Sequence, residues 1–313
     1  MSETAIGIDI GGSHVECGIV CDDRVVLAKT IKVKRASLHP VLLEVEEIVR
    51  LLLMEAEIEP SALSGVAVGI CAVVDRSGAI AATNGKYDDG VGFNFTGWSE
   101  QTFGLRCVVE NDTRLALLGE HFAGAAKGFD DAVLVTLGSG IGGAAMLGGK
   151  LLNSVGGRAG GLAGHLGVDW QGRLCSCGNR GCGDAEASTS SLPFICREWD
   201  GFWESALGRT QEPIDFRLLF SIVERGDCVA REVLDHCIGV WSALTVSLIH
   251  AYDPQAILFG GGVMRRHELI LPGIRDYVAR HAWQGKDPVR IVPAALDGSA
   301  ALLGALPLLR GQT

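Results

Sequence analysis

The stretch Ala5-Ile6-Gly7-Ile8-Asp9-Ile10-Gly11-Gly12-Ser13-His14-Val15-Glu16-Cys17-Gly18-Ile19-Val20-Cys21 fixes how the rest of the chain is read. Ala5 to Asp9 is apolar, Gly11-Gly12 turns, and His14 to Cys21 alternates back, which predicts strand, turn, strand. A second stretch follows the same plan: strand Ala132 to Leu137, the glycine turn Gly138 to Gly143, and strand Ala144 to Leu147. The echo suggests two halves built alike. Outward from these, Pro40 with Val41, Leu42, Val45, Ile48, Leu51 and Leu52 has helical spacing, and Val66 to Ile70 and Cys107 to Val109 read as strands. Asn111 caps a helix running to about Ala126. Further helices are predicted at Asp215 to Glu224, Cys228 to Ala251 and His267 to His281, with a strand Ala256 to Phe259 closed by Gly260-Gly261-Gly262. Alternating β and α segments predict an α/β fold with sheets covered by helices.

At 313 residues the chain is long for one core, so two lobes are expected. The net charge of −10, without an extended basic track, argues against nucleic acid and against a polyphosphate donor, both of which need Lys and Arg to neutralise phosphates. The N-terminus lacks a charged-then-apolar signal region, and no apolar run is read as a membrane span, so the expected location is the cytoplasm. In that compartment Cys17, Cys71, Cys107 and Cys237, each alone in an apolar stretch, read as small buried thiols.

Several motifs carry chemistry. In Asp9-Ile10-Gly11-Gly12-Ser13 a carboxylate ends a buried strand before two glycines and a hydroxyl. That arrangement can hold hydrated Mg²⁺ and present backbone N–H groups to phosphate, or it is a plain hairpin turn. The run Gly138-Ser139-Gly140-Ile141-Gly142-Gly143 clears side chains from the path of a triphosphate. Gly260-Gly261-Gly262 is a seat for a nucleotide's ribose and base, or a tight turn. His165 with Cys175, Cys177 and Cys182 supplies four ligands for a tetrahedral structural Zn²⁺, a reduced cysteine cluster being the alternative. Asn111-Asp112 lies where a strand meets a helix. Both residues are ordinary caps, yet a carboxylate there can accept a proton from an acceptor hydroxyl.

Together these motifs resemble the ROK family of bacterial sugar kinases and related regulators, across nearly the whole chain. The resemblance rests on Asp9-Ile10-Gly11-Gly12, Asn111-Asp112, Gly138 to Gly143, Gly164-His165, the Cys-x-Cys-Gly-x-x-Gly-Cys run, Asp253-Pro254 before the triple glycine, and Gly298 to Ala305. It implies a two-lobed actin/hexokinase-like (ribonuclease H-like) fold with ATP and sugar in the interlobe cleft. The lobes are expected at 1–115, with 298–313 packing back on it, and at 116–297. It implies ATP-dependent phosphorylation of a hexose hydroxyl, usually the 6-OH, with Asp112 as base. Asn111, His165, Asp184 and either Asn84 or Asn94 are then sugar contacts. Asp9, Gly11, Gly12, Ser13, Gly138, Ser139, Gly140, Gly142, Gly260, Gly261 and Gly262 face ATP and its Mg²⁺, and a homodimer is expected.

The chain departs from the family pattern where two glutamates normally hold hydroxyls at the C1–C2 end of the sugar. Leu162 stands at one position and the shorter Asp184 at the other, with Glu186 a candidate substitute. The expected substrate is therefore a sugar altered near C1–C2. A non-catalytic sugar-binding protein of the family is the alternative. A repressor is disfavoured because the chain starts directly with its first strand, where family repressors carry a winged helix-turn-helix.

Overall fold

The computed structural model describes residues 2–33 and 37–311. The opening apolar stretches pair as read: β1 (Thr4–Ile10), β2 (His14–Cys21) and β3 (Arg24–Lys32) run antiparallel. Then β4 (Val66–Ile70) pairs parallel with β1, its five residues all buried. A small ribbon of β5 (Val73–Val74) and β6 (Ile80–Ala82) precedes β7 (Cys107–Asn111), which pairs parallel with β4. The sheet order is β3-β2-β1-β4-β7. Sequence reading missed β3, whose apolar run Val25 to Ala28 is short and gives way to Lys29, Thr30 and Lys32, and none of whose positions is fully buried.

The second glycine turn joins β8 (Ala132–Leu137) to β9 (Ile141–Leu147), so Gly142 and Gly143 belong to a strand and the turn is shorter than expected. With β10 (Lys150–Leu151), β11 (Ala256–Gly260) and β12 (Arg290–Pro293) they form a second sheet, ordered β10-β9-β8-β11-β12.

The chain divides into two compact units. The first comprises Met1–Leu134, Ala144–Gly161 and Ala294–Thr313, and the second Val135–Gly143 and Leu162–Pro293. This division differs from the 1–115 and 116–297 lobes of the sequence reading in keeping residues 116–134, 144–161 and 294–297 with the first unit. Helices α1 (Leu38–Glu55), α2 (Phe95–Phe103) and α3 (Asp112–Ala123) cover the first unit's sheet. In the second unit stand α4 (Gly183–Ala187), α5 (Leu192–Glu198), α6 (Ala206–Arg209), α7 (Phe216–Glu224), α8 (Cys228–Tyr252) and α9 (His267–His281). By length and composition α8 could cross a membrane, contrary to the sequence reading, but more than half of its apolar window is buried inside the protein. It is a core helix.

The closing segment forms two short helices, α10 (Ala300–Leu303) and α11 (Ala305–Leu309), within the first unit. Their approach to α3 is close enough that a Cβ at Gly119 would lie 1.9 Å from the Ala300 carbonyl oxygen, and one at Gly304 2.1 Å from that of Leu115. Glu120, fully buried, fastens the same contact: its carboxylate accepts from the amides of Ala125, Ala295 and Leu296 at 2.7–3.1 Å. Burial of a charge is tolerable there because backbone donors replace its water.

Candidate active site

In the first unit, strand register gathers carboxylates. Asp9 pairs with Gly69 on β4, and Gly69 with Glu110 on β7, so the ends of the three parallel strands are level. Asp112 begins α3 one residue beyond β7. A Cβ at Gly69 would lie 3.5 Å from Asp9 Oδ1 and 3.4 Å from the Asp112 Cα. Gly69 therefore lies between the two residues, at ordinary contact distance from each. Glu16 joins them, being the cross-strand partner of Asp9 on β2.

Asp112 is held through one oxygen. Its Oδ1 accepts from the Thr113 amide at 2.7 Å, the Asn111 side-chain amide at 2.9 Å and the Thr113 hydroxyl at 3.3 Å. The same Asn111 caps α3, its Oδ1 accepting from the amides of Thr113 and Arg114 at 3.1 Å each, and donates to the Ala72 carbonyl at 3.2 Å. Asn111 thus positions Asp112 and ties it to the end of β4. Asp9 Oδ1 is buried and has no hydrogen-bond partner among the described residues. None of Asp9, Glu16 and Asp112 makes an ion pair among the described residues. Burial pushes the Asp9 carboxyl up to about 8, with the Asp112 and Glu16 charges acting in the same direction. Burial also raises Asp112, against its hydrogen bonds to Thr113 and Asn111, and raises Glu16. An orphaned oxygen among acids lacking counter-charge is a setting that suits a cation.

The glycine turn beside Asp9 is closed by the Gly11 amide donating to the His14 carbonyl at 3.0 Å. Ser13 is exposed, with its hydroxyl 2.8 Å from His14 Nδ1. Two residues that sequence reading missed hold the turn. The Tyr87 hydroxyl donates to the Gly11 carbonyl at 2.9 Å, and Lys86 Nζ donates to that of Gly12. Tyr87 is fully buried in the left-handed region at φ 59°, an uncommon conformation for a bulky residue. The signal in the sequence was a lone lysine after Asn84-Gly85, but its partner lies 74 residues away. Asn84 itself is exposed. Asn94 caps α2 by accepting from the Gly97 amide at 3.0 Å, and lines a cavity of about 470 Å³ with Asp75, Phe93, Val109, Glu110 and Asn153.

The second unit gathers the remaining motifs. Gly138 to Gly140 bends between β8 and β9, with the Gly138 amide donating to the Gly140 carbonyl at 2.9 Å. Ser139 and Gly140 are exposed, and Gly142 lies within β9. The third glycine run is brought beside this turn. Gly261 takes φ +90°, and a Cβ there would lie 2.4 Å from the Leu137 carbonyl oxygen. Only glycine combines that conformation with that approach. Gly260 ends β11 and Gly262 opens the following turn.

His165, Cys175, Cys177 and Cys182 converge, with their ligand atoms all within 4.8 Å of one another. His165 Nδ1 is 3.5 Å from Cys175 Sγ, and Cys177 Sγ 3.6 Å from Cys182 Sγ. These separations are those of the edges of a tetrahedron with metal–ligand bonds of about 2.0–2.3 Å, so the donor set fits zinc. The loop is shaped for it: the Cys175 amide donates to the Asn179 carbonyl at 2.8 Å and the Gly178 amide returns to Cys175 at 2.9 Å.

The carboxylates near this loop are engaged. Asp184 Oδ1 accepts from the Ile141 amide at 2.7 Å. Glu186, buried, accepts from the Arg173 amide and pairs with the Arg173 guanidinium, both at 2.6 Å. Leu162, half-buried, precedes the turn carrying His165.

Residues 5–312 match the family model described as ROK family. A glucokinase of Thermotoga maritima is 28% identical over 312 residues, covering 97% of this chain and 96% of that protein. The crystal structure of a ROK family glucokinase from Streptomyces griseus, in complex with glucose and AMPPNP, superposes with a TM-score of 0.79 at 28% identity, covering 98% of this chain and 99% of that one. A ROK hexokinase from Thermus thermophilus gives a TM-score of 0.79 at 26% identity over 98% and 99% of the two chains. The fold is accordingly the actin/hexokinase-like α/β fold. By the span of that family match and by likeness over its whole length, this chain belongs to the ROK family.

Proposed function

We propose that this ATP-dependent sugar kinase uses Asp112 as the general base that takes the proton from an acceptor hydroxyl, the 6-OH of a hexose derivative, as the γ-phosphoryl group is transferred. The observation that carries this reading is the Asp112 carboxylate, fixed through Oδ1 by Thr113 and Asn111 and set across Gly69 from the partnerless Asp9 oxygen. Little covalent work falls to the protein in phosphoryl transfer, so positioning and charge complementarity are its main contributions. Magnesium bound with ATP supplies positive charge to the phosphates, and Asp9 with Glu16 forms the acidic face that would hold its hydration shell. Asp112 accepts the hydroxyl proton, for which its raised affinity for protons is suited. The exposed bend at Ser139 and Gly140 receives phosphate, and zinc on His165, Cys175, Cys177 and Cys182 stiffens the neighbouring loop.

The acceptor follows from the carboxylates of the second unit. The Leu162 side chain has no acceptor atom, Asp184 Oδ1 accepts from the Ile141 amide, and Glu186 is paired with Arg173. A free hydroxyl aimed at such a wall loses about 1.5–3 kcal/mol, or one to two decades of affinity. The reading is thus a sugar substituted or deoxygenated near C1–C2. The test is ADP release from Mg-ATP across hexoses, amino and N-acetyl sugars, deoxysugars and cyclitols. We expect a derivatised or deoxy sugar to lead the panel and Asp112→Asn to lower its kcat by about 10²–10⁴. Preference for plain glucose would sink the acceptor assignment. Silence across the panel, with sugars still raising Tm, would favour a non-catalytic sugar-binding protein.

A further inference from the structure

We infer that Asp184 is a positioning residue for the phosphate turn, fastening that turn to the metal loop, and not a carboxylate that contacts the acceptor sugar. The inference rests on reading Gly138 to Ile141 as the turn that meets the nucleotide's phosphates. Asp184 lies two residues beyond Cys182, and its Oδ1 receives the Ile141 amide at 2.7 Å. The absence of a side chain at Gly140 makes room, since a Cβ there would sit 2.9 Å from that same oxygen. The segment that follows completes the grip. The Thr189 amide donates to the Gly138 carbonyl at 3.1 Å and the Ser190 amide to that of Ser139 at 3.0 Å. One stretch starting at a metal ligand therefore holds the turn at three points, Gly138, Ser139 and Ile141.

The other arm of the metal loop reaches the same strand. A Cβ at Gly164, next to His165, would lie 2.1 Å from the Ile141 carbonyl oxygen, and the Gly183 amide donates to Leu166 at 3.1 Å. Both arms that converge on the ligand cluster thus bear on Ile141, one through packing and one through Asp184. With the Ile141 amide directed to Asp184, the Gly138 amide to the Gly140 carbonyl, and the carbonyls of Gly138 and Ser139 to Thr189 and Ser190, the amides of Ser139 and Gly140 are the donors of the exposed bend left to meet an anion. Backbone N–H groups so arranged receive anions. A carboxylate set this close to an anion site keeps its charge when a backbone amide donates to one of its oxygens, so the charge of Asp184 is expected to weaken phosphate binding while its hydrogen bond holds the turn.

This makes the hold, and not the charge, the useful property of residue 184, and the two separate in substitution. Asparagine keeps a carbonyl oxygen for the Ile141 amide and removes the charge, whereas alanine removes both. The test uses the full chain with its metal in place. It measures ADP affinity by calorimetry, acceptor KM with the best acceptor of the panel, and zinc per chain, for wild type, Asp184→Ala and Asp184→Asn. The expected result is an ADP Kd about tenfold weaker in Asp184→Ala, with zinc content kept and acceptor KM within about twofold, and an Asp184→Asn protein that binds ADP at least as tightly as wild type. Stripping the metal with a chelator should weaken ADP binding in wild type and add little in Asp184→Ala, because the fastening is already lost. Unchanged ADP affinity with a raised acceptor KM would overturn the inference and make Asp184 an acceptor contact. Equal losses in Asp184→Ala and Asp184→Asn would overturn it as well, by showing that the charge is what counts. Absence of ADP binding in the metal-replete wild type would instead overturn the phosphate-turn reading, and the inference with it.

Discussion

Replacing one hydrogen of Gly69 by a methyl group would set a Cβ 2.9 Å from Leu115 Cδ2 while meeting Asp9 Oδ1 and the Asp112 Cα only at ordinary contact distance, so strand register, and not the missing side chain, is what brings Asp9 and Asp112 near one another at the ends of parallel strands. Burial, reinforced by the Asp112 and Glu16 charges, leaves Asp9 with its pKa raised to about 8, against about 3.9 in an unfolded chain. A carboxyl whose folded pKa is raised binds its proton more tightly in the native state. The stability this provides is present in full below about pH 4 and is lost as pH climbs toward 8. Asp9→Asn mimics the neutral acid at every pH. We therefore expect the Tm of Asp9→Asn, measured without ligands, to match wild type near pH 4–5 and to exceed it by roughly 3–8 °C at pH 8, with turnover abolished. A gap that stays constant with pH, or a wild type more stable at pH 8, would remove the proton from the account. The Asn111-Asp112 pair was legible in the sequence because a strand-to-helix junction needs a cap and aims a carboxylate. Glu16 and Lys86 were not, since register alone sets Glu16 beside Asp9, and Lys86 meets Gly12 across 74 residues.

Among the elements, those with a continuous apolar run or helical period were readable: β1, β2, β4, β8, α1, α3, α8 and α9 lie where the sequence predicts them. β3 and β12 were not, because their apolar runs, Val25 to Ala28 and Ile291-Val292, are short and flanked by charged or polar residues or proline. Legibility also failed where glycines serve packing and not turning. Gly119 sits within α3, where it costs helix propensity, and the reason is the closeness of α10: the Ala300 carbonyl occupies the place a Cβ would take. Gly239, within α8, has nothing within 4 Å of a Cβ position. The same substitution should therefore act with opposite signs. Gly119→Ala is expected to destabilise by about 3 kcal/mol, a fall of roughly 6–10 °C in Tm, through forced separation of α3 and α10. Gly239→Ala is expected to be neutral or to stabilise by up to about 1 kcal/mol. Thermal melts of both proteins check the pair. Equal effects would mean that the Gly119 contact is slack.

For the molecule as a whole, charge bears on the phosphate donor. Acidic residues outnumber Lys and Arg by 37 to 27. Several arginines are also committed to acids within the fold, as Arg114 is to Glu110, Arg173 to Glu186 and Glu198, Arg266 to Glu224 and Glu268, and Arg310 to Glu3. On the proposed reading, what the molecule offers phosphate is local: glycine turns with backbone donors. Such a turn suits the end of one triphosphate. A long polyanion gains affinity by pairing many phosphates with many cations, and here each further phosphate would approach a surface of its own sign. Long-chain inorganic polyphosphate should therefore support less than about 1% of the rate seen with Mg-ATP at saturating acceptor. The same field gives the sign of the salt effect. Screening shortens to about 8–10 Å near physiological ionic strength, so raising salt from about 0.02 to 0.15 M at fixed magnesium should leave kcat/KM for ATP unchanged or raise it modestly. A steep fall with salt, or polyphosphate turnover rivalling that with ATP, would require a cationic track that neither the composition nor the ion pairing of this chain supplies.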